Sequence, residues 1–369
     1  MRYIELDTPA LLIDRERLTK NLKDMQSYAD AHGVALRPHT KTHKCPEIAK
    51  MQLAAGACGI AVAKVGEAEA MAEAGLDDLF IANEIVGEAK LRRIAALAKQ
   101  GVKISFGVDT PCQVEAAESV FAQEGVSVPV LVEIEVGENR SGVIEESDFL
   151  ALLDTIRICP HVPFGGIFSH DGNSYSAPDL DALRALSEGA QRRTLHFAQL
   201  AAQHGMPCQT VSYGATPTFM NHVDILPGIT ELRPGTYALM DASQGHAIGT
   251  LDRCAATVLA TVISRPTAER TILDVGAKGL TMQSRTEGLC ATPGKGTLYD
   301  RPDVHIEKVF DEHAIINDLS FRASVAVGDK VRIIPVHICP VCNLYERAYL
   351  ISGDEVVQEL DIAACGKLQ

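Results

Sequence analysis

Two short segments carry most of the chemistry this chain can offer. In Arg37-Pro38-His39-Thr40-Lys41-Thr42-His43-Lys44 one lysine stands among cations. Arg37, His39, His43 and Lys44 would lower the pKa of the Lys41 amine, and a neutral amine is a nucleophile toward an aldehyde. A basic, solvated loop would have the same composition, so composition alone leaves both readings open. The second segment is Pro335-Val336-His337-Ile338-Cys339-Pro340-Val341-Cys342-Asn343, after a β-branched run. In an extended backbone residues two apart project to one face, which lets His337 and Cys339 ligate one ion. Imidazole with thiolate favours zinc over magnesium, and open coordination positions would admit a substrate hydroxyl. Cys339 and Cys342 also spell Cys-x-x-Cys, which fits a redox pair or half of a structural zinc site, but no second such pair completes a ribbon.

Four further segments supply anchoring groups. Val132 to Val143 is a strand entering a Gly-flanked loop with Arg140, a guanidinium suited to an anionic partner; the plain alternative is a surface arginine. Phe168 to Tyr175 offers His170 and Tyr175, able to exchange protons or stack on a ring, although a lone histidine is more often structural. In Ser212-Tyr213-Gly214-Ala215-Thr216 small residues let backbone N–H groups approach a phosphate while hydroxyls add donors. A plain turn reads similarly. The segment Glu231-Leu232-Arg233-Pro234-Gly235-Thr236-Tyr237 strengthens the phosphate reading, because barrels build such sites after their seventh and eighth strands.

The elements that must position these groups follow a regular pattern. From Leu36 to Leu232 short apolar runs alternate with amphipathic stretches, the sign of parallel βα units. Strands are expected near Ala35 to Arg37, Gly59 to Ala63, Leu79 to Ala82, Val102 to Phe106, Val128 to Val136, Phe164 to Ser169, Thr210 to Ser212 and Thr230 to Arg233. About eight is the number that closes a (β/α)8 barrel. Asp14 caps a helix with Leu18, Leu22 and Met25 on its apolar face; Ala89 to Lys99 repeats the helical period; Asp179 to His204 ends before Gly205. After Asp241 come β-branched runs at Ala256 to Ile263, Thr271 to Val275, Lys330 to Ile334, Ala348 to Ile351 and Val356 to Leu360, while Ala291 to Asp303 reads as a loop. The expectation is an α/β barrel over 14–240 and a smaller β domain from 1–13 and 241–369 that carries the metal motif.

Charge narrows the partners. A net charge of −14 and pI near 5.3 disfavour nucleic acid, which needs a basic face. Met1 to Glu5 lacks the regions of a signal peptide, and no apolar run approaches a membrane span. The ten cysteines lack the spacing of a disulfide scaffold. A cytoplasmic protein acting on small molecules is expected.

Asp7-Thr8-Pro9-Ala10 together with Arg37 to Lys44 closely resembles the D-threonine aldolase and eukaryotic-type D-serine dehydratase family, and the likeness spans nearly the whole chain. That family is similar in fold to alanine racemase, with a barrel bearing pyridoxal 5'-phosphate (PLP) and a β domain. The resemblance implies that Lys41 holds PLP as a Schiff base, that Arg140 lies near its phenolate oxygen, and that Arg233 approaches its pyridine nitrogen. His39, His170, Tyr175, Ser212 to Thr216, Gly235, Thr236 and Tyr237 complete the expected cofactor site, with Lys41 and His170 catalytic. It also implies a metal pair at His337 and Cys339, zinc favoured and manganese admitted, in the cysteine form typical of the dehydratases. Cys342 departs from the usual motif. The loops Ser169 to Tyr175 and Ala215 to Thr218 also look more like the dehydratase branch. The expected activity is a PLP- and metal-dependent dehydration of a D-β-hydroxy-α-amino acid such as D-serine or D-3-hydroxyaspartate to keto acid and ammonia. The alternatives are retro-aldol cleavage to glycine and aldehyde, then a racemase, then a non-catalytic PLP carrier. A homodimer is expected from the resemblance alone.

Overall fold

The computed structural model describes every residue from Met1 to Gln369. The chain divides into two compact units. One comprises Met25–Lys41, Ile48–Gly235 and Lys367–Gln369; the other comprises Met1–Asp24, Thr42–Glu47 and Thr236–Gly366. The second unit thus takes in the residues directly after Lys41, which the sequence alone assigns to the barrel.

The strands, in chain order, are β1 (Ala10–Asp14), β2 (Ala35–Leu36), β3 (Ile60–Val62), β4 (Asp78–Glu84), β5 (Lys103–Val108), β6 (Val130–Ile134), β7 (Phe164–Ser169), β8 (Thr210–Tyr213) and β9 (Glu231–Leu232). Then follow β10 (Ala256–Ser264), β11 (Arg270–Leu273), β12 (Gly296–Leu298), β13 (Lys308–Val309), β14 (Ala314–Asn317), β15 (Lys330–Pro335), β16 (Arg347–Ser352) and β17 (Glu355–Asp361).

The barrel unit is built on eight parallel strands in the order β2-β9-β8-β7-β6-β5-β4-β3. Backbone bonds from Cys58 N to Leu36 O and from Ala61 N to Pro38 O, both 2.9 Å, with a parallel bridge between His39 and Ala61, join β2 to β3 and close the ring. All eight lie where the apolar runs predict them. A closed ring leaves no edge, and its strands are covered on both faces, so they read as apolar runs rather than alternating ones. Val130–Ile134 is buried throughout. Ala61, Phe80, Leu131 and Phe168 fill the interior, with Phe80 and Phe168 edge to face at 5.2 Å. Helix Glu88–Lys99 buries Leu91, Ile94, Ala95 and Leu97. Each fully buried aliphatic of this kind stabilises the fold by roughly 1.5–3 kcal/mol. Helix Leu180–Gln203 starts where Asp179 accepts Ala182 N at 2.8 Å and stops before Gly205, whose φ is +78°.

The β unit has the strand path β13-β14-β11-β10-β1-β16-β17, with β15 paired to β10 and β12 to β15. Here the sequence-based expectation was incomplete. β1 went unrecognised because it pairs on both sides, antiparallel to β10 and parallel to β16, and its run Ala10 to Ile13 is buried without alternation. β12 lies inside the stretch expected to be loop and pairs with β15 from Gly296 to Leu298. Its three residues and flanking glycines hide the strand pattern. At the end of β1, Asp14 accepts Arg17 N at 2.9 Å and so caps helix Arg15–Ala31 as its sequence indicates.

Candidate active site

In the barrel unit Lys41 lies in a single 3₁₀ turn, Thr40–Thr42, just beyond β2. The backbone leading to it is pinned: His39 N donates to Pro234 O at 2.9 Å, Thr40 Oγ1 to Ala61 O at 3.2 Å, and Lys41 N to His39 Nδ1 at 3.3 Å. The expected crowd of cations is thinner than the sequence suggests. Arg37 is spent on two carboxylates, Glu231 at 2.7 Å and Asp78 at 2.6 Å. Lys44 belongs to the other unit, where its amine donates to Asn343 Oδ1 at 2.8 Å.

Arg140, half exposed, is held at 3.5 Å by both Glu133 and Glu138. Glu133 also accepts Ser141 Oγ at 2.7 Å. Behind it the Glu84 carboxyl is pushed up to about 9, first by burial and then by its hydrogen bond to Glu133. Glu84 is therefore protonated at neutral pH. Burial raises the Glu138 carboxyl above its ordinary value, opposed by Arg140 and Lys41.

His170, at the end of β7, has Nδ1 2.9 Å from Gly214 O. A carbonyl only accepts, so Nδ1 bears the proton and Nε2 keeps its lone pair. Burial, then the charges of Lys41 and Arg140, hold this imidazole well below its ordinary pKa, and it is neutral. Gly214 has φ +129°, and a Cβ there would lie 2.1 Å from Phe219 Cζ, a buried ring. Tyr175 is half-buried in the 3₁₀ turn Gly172–Ser176 that follows.

The loop after β8 differs from expectation in which hydroxyls it offers. Ser212 Oγ donates to Glu231 at 2.5 Å and accepts from Arg233 at 2.5 Å; Tyr213 donates to Asp171 at 2.6 Å. Both hydroxyls are taken up by the framework, leaving their backbone and that of Gly214 and Ala215 to approach a ligand. Thr216 differs, because its buried Oγ1 has no hydrogen-bond partner. Such a hydroxyl costs free energy unless a ligand accepts from it. Arg233 is buried, donates to Ser169 O at 2.7 Å, and stands 5.1 Å over the Phe168 ring. Burial pulls it down to about 10, which still leaves it charged. An amine, an orphan hydroxyl and a buried guanidinium in one barrel fit an aldehyde-bearing phosphate ester with an aromatic ring. Gly235 ends the long central segment of this unit.

In the β unit, β15 runs into His337, whose backbone is extended at φ −140° and ψ 112°, and a short helix Ile338–Cys342 begins at once. The metal pair is therefore not two pleats of one strand as its spacing suggests; Cys339 lies in the first helical turn, where Pro340 is tolerated. His337 Nδ1 is 2.9 Å from Gln283 Oε1. Cys339 Sγ donates to Thr42 Oγ1 at 3.3 Å and lies 3.5 Å from Thr236 Oγ1. Tyr237, beside Thr236, is buried. Asp241 accepts Ile338 N at 3.0 Å and Gln244 N at 2.8 Å, and burial pushes its carboxyl up to about 6. Cys342 is buried, which raises its thiol well above the ordinary value, and Cys339, Cys45 and Cys365 act on it in the same direction. No group of three or more His, Cys, Asp or Glu side chains is assembled for a metal. A soft two-ligand set with neutral partners fits an ion that keeps open positions. Gln283, Asp241, Glu84 and Glu133 escaped the sequence reasoning; only Glu133, a charge inside an apolar strand, left a signal.

The alanine racemase N-terminal domain family matches residues 13–243, and the serine dehydratase domain family matches 255–351. A D-threonine aldolase from Arthrobacter sp. is 36% identical, covering 98% of this chain and 93% of its own. D-threo-3-hydroxyaspartate dehydratase from Delftia sp. (strain HT23) is 31% identical over 96% of this chain and 97% of its own. The structure of a cysteine-to-alanine mutant of D-threo-3-hydroxyaspartate dehydratase, in its metal-free form, superposes with a TM-score of 0.90 at 29% identity, covering 98% of each chain. With a lysine at the rim of an eight-stranded parallel barrel and a β unit bearing a histidine–cysteine pair, the chain belongs to the D-threonine aldolase and D-serine dehydratase family of alanine-racemase-like, PLP-dependent lyases.

Proposed function

We propose that the protein is a PLP- and metal-dependent dehydratase that converts a D-β-hydroxy-α-amino acid, D-serine or D-3-hydroxyaspartate in type, to a keto acid and ammonia. The donor set His337 and Cys339 carries this reading: an imidazole bonded to a glutamine amide and a thiol beside two threonine hydroxyls. Zinc suits that set, with manganese the alternative. When bound, PLP supplies the aldehyde and an electron-withdrawing ring, and the metal supplies a Lewis acid for the β-hydroxyl.

The chain's own residues do the rest. Lys41 would anchor the cofactor, and its amine, when free, would take the proton from Cα. Arg140, paired with Glu133 and Glu138, would face the phenolate side, and Arg233 the ring nitrogen. His39, Tyr175, Ser212, Tyr213, Gly214, Ala215 and Thr216 line the cofactor, with Thr216 Oγ1 and the loop backbone as phosphate donors; Gly235, Thr236 and Tyr237 continue that lining. His170 offers a neutral Nε2 that can hold a proton at the β-oxygen. Ten cysteines outside any disulfide support a reducing, cytoplasmic setting, and the family resemblance supports a homodimer. No helix is long and apolar enough to cross a membrane.

A second reading, retro-aldol cleavage to glycine and an aldehyde, is favoured by the 36% identity to a D-threonine aldolase and by the free base at His170. Purified holoenzyme incubated with D-serine, D-threonine and D-3-hydroxyaspartate, with and without added zinc or manganese, separates the two. Keto acid and ammonia support dehydration; glycine with aldehyde and no keto acid would replace it with aldol cleavage.

A further inference from the structure

We propose that Gln283 is a positioning residue for the metal pair, fixing His337 as the tautomer with its proton on Nδ1 so that Nε2 presents its lone pair to the cation. This rests on the metal reading above. The amide oxygen of Gln283 stands 2.9 Å from His337 Nδ1. An amide oxygen accepts and never donates, so the facing ring nitrogen must carry hydrogen, and in a neutral imidazole the other nitrogen is then unprotonated. An acceptor on the far nitrogen of a ligating imidazole both orients the ring and raises its basicity. A neutral amide does so without adding a charge that would compete for the ion.

The loop that delivers Gln283 is built for the purpose. Helix Ala277–Leu280 is tied down by Ala277 N to Phe310 O at 2.7 Å and by Tyr345 Oη to Gly279 O at 3.1 Å. Thr281 N closes the helix on Ala277 O at 2.8 Å, and Thr281 itself stands at φ 67° and ψ 173°. That region is essentially reserved for glycine, and a β-branched residue there is strained. The strained residue then accepts Gln283 N on its own Oγ1 at 3.3 Å. On the other side Lys295 Nζ donates to Met282 O at 3.0 Å. Strain persists only where the surroundings over-determine it, and here they determine the residue two before the one that meets His337.

The test measures zinc affinity of the full-length, PLP-loaded protein by competition with a chromophoric chelator, with ¹⁵N NMR of the His337 ring in the metal-free protein. Gln283→Leu should weaken zinc about 10- to 100-fold, with the PLP absorbance retained and the proton no longer confined to Nδ1. Gln283→Glu, which keeps an acceptor oxygen in place, should restore both. His337→Ala and Cys339→Ala serve as reference: if either binds zinc as tightly as the parent, the metal reading itself fails. If both lose zinc while Gln283→Leu keeps the parental affinity and the Nδ1 proton, the role of Gln283 is overturned.

Discussion

The two candidate sites surround their polar residues differently. In the barrel unit two arginines are matched to carboxylates, Arg37 to Asp78 and Glu231 and Arg140 to Glu133 and Glu138. In the β unit His337 and Cys339 meet a glutamine amide and two threonine hydroxyls. Paired charges fix side chains in place and set the potential felt by an amine, which is what a covalent anchor requires. An imidazole and a thiol with amide and hydroxyl partners are donors that a cation can bind. On the proposed function, the chain would use ion pairs around the cofactor and hydroxyl and amide partners around the metal.

If that contrast is right, changes around Lys41 should abolish the cofactor linkage, and changes to the His337–Cys339 pair should spare it. The largest effect is expected at Lys41→Ala: turnover should fall by several orders of magnitude, and borohydride should no longer fix the cofactor to the chain, as peptide mapping would reveal. Labelling at another lysine would break the contrast at its root. Next is Cys339→Ala, which removes part of a Lewis-acid contribution of several kcal/mol, so turnover should drop roughly a hundredfold or more. Cofactor absorbance should persist; its loss would mean that the two units do not separate the two tasks. The smallest effect concerns stability. Asp171 is held at about 6, raised from 3.8 first by burial. A carboxyl raised on folding contributes stability that is complete below pH 4 and is lost as pH climbs through about 6, here about 3 kcal/mol. Asp171→Asn should flatten that slope in urea titrations between pH 4 and 6, and an unaltered slope would assign the pH dependence elsewhere.

Much of this was legible before the structure. Apolar runs located all eight barrel strands because burial on both faces leaves no ambiguity of face, and the local motifs around Lys41 and His337 announced themselves by residue type. What escaped was made by distant partners. Arg37 looked like a free cation because Glu231, which neutralises it, stands 194 residues on. Gln283 could not be linked to His337 across 54 residues of chain. β1 was hidden by its double pairing, and the hydroxyls of Ser212 and Tyr213 looked available because only the fold shows that Glu231 and Asp171 claim them.

Gly214 sets a limit on how this enzyme can drift. Its carbonyl orients His170, its backbone adopts a conformation other residues rarely do, and the space a side chain would need is filled by the Phe219 ring. A saturation library at this codon should return glycine alone among active clones, so diversification aimed at new substrates is better spent on neighbouring positions.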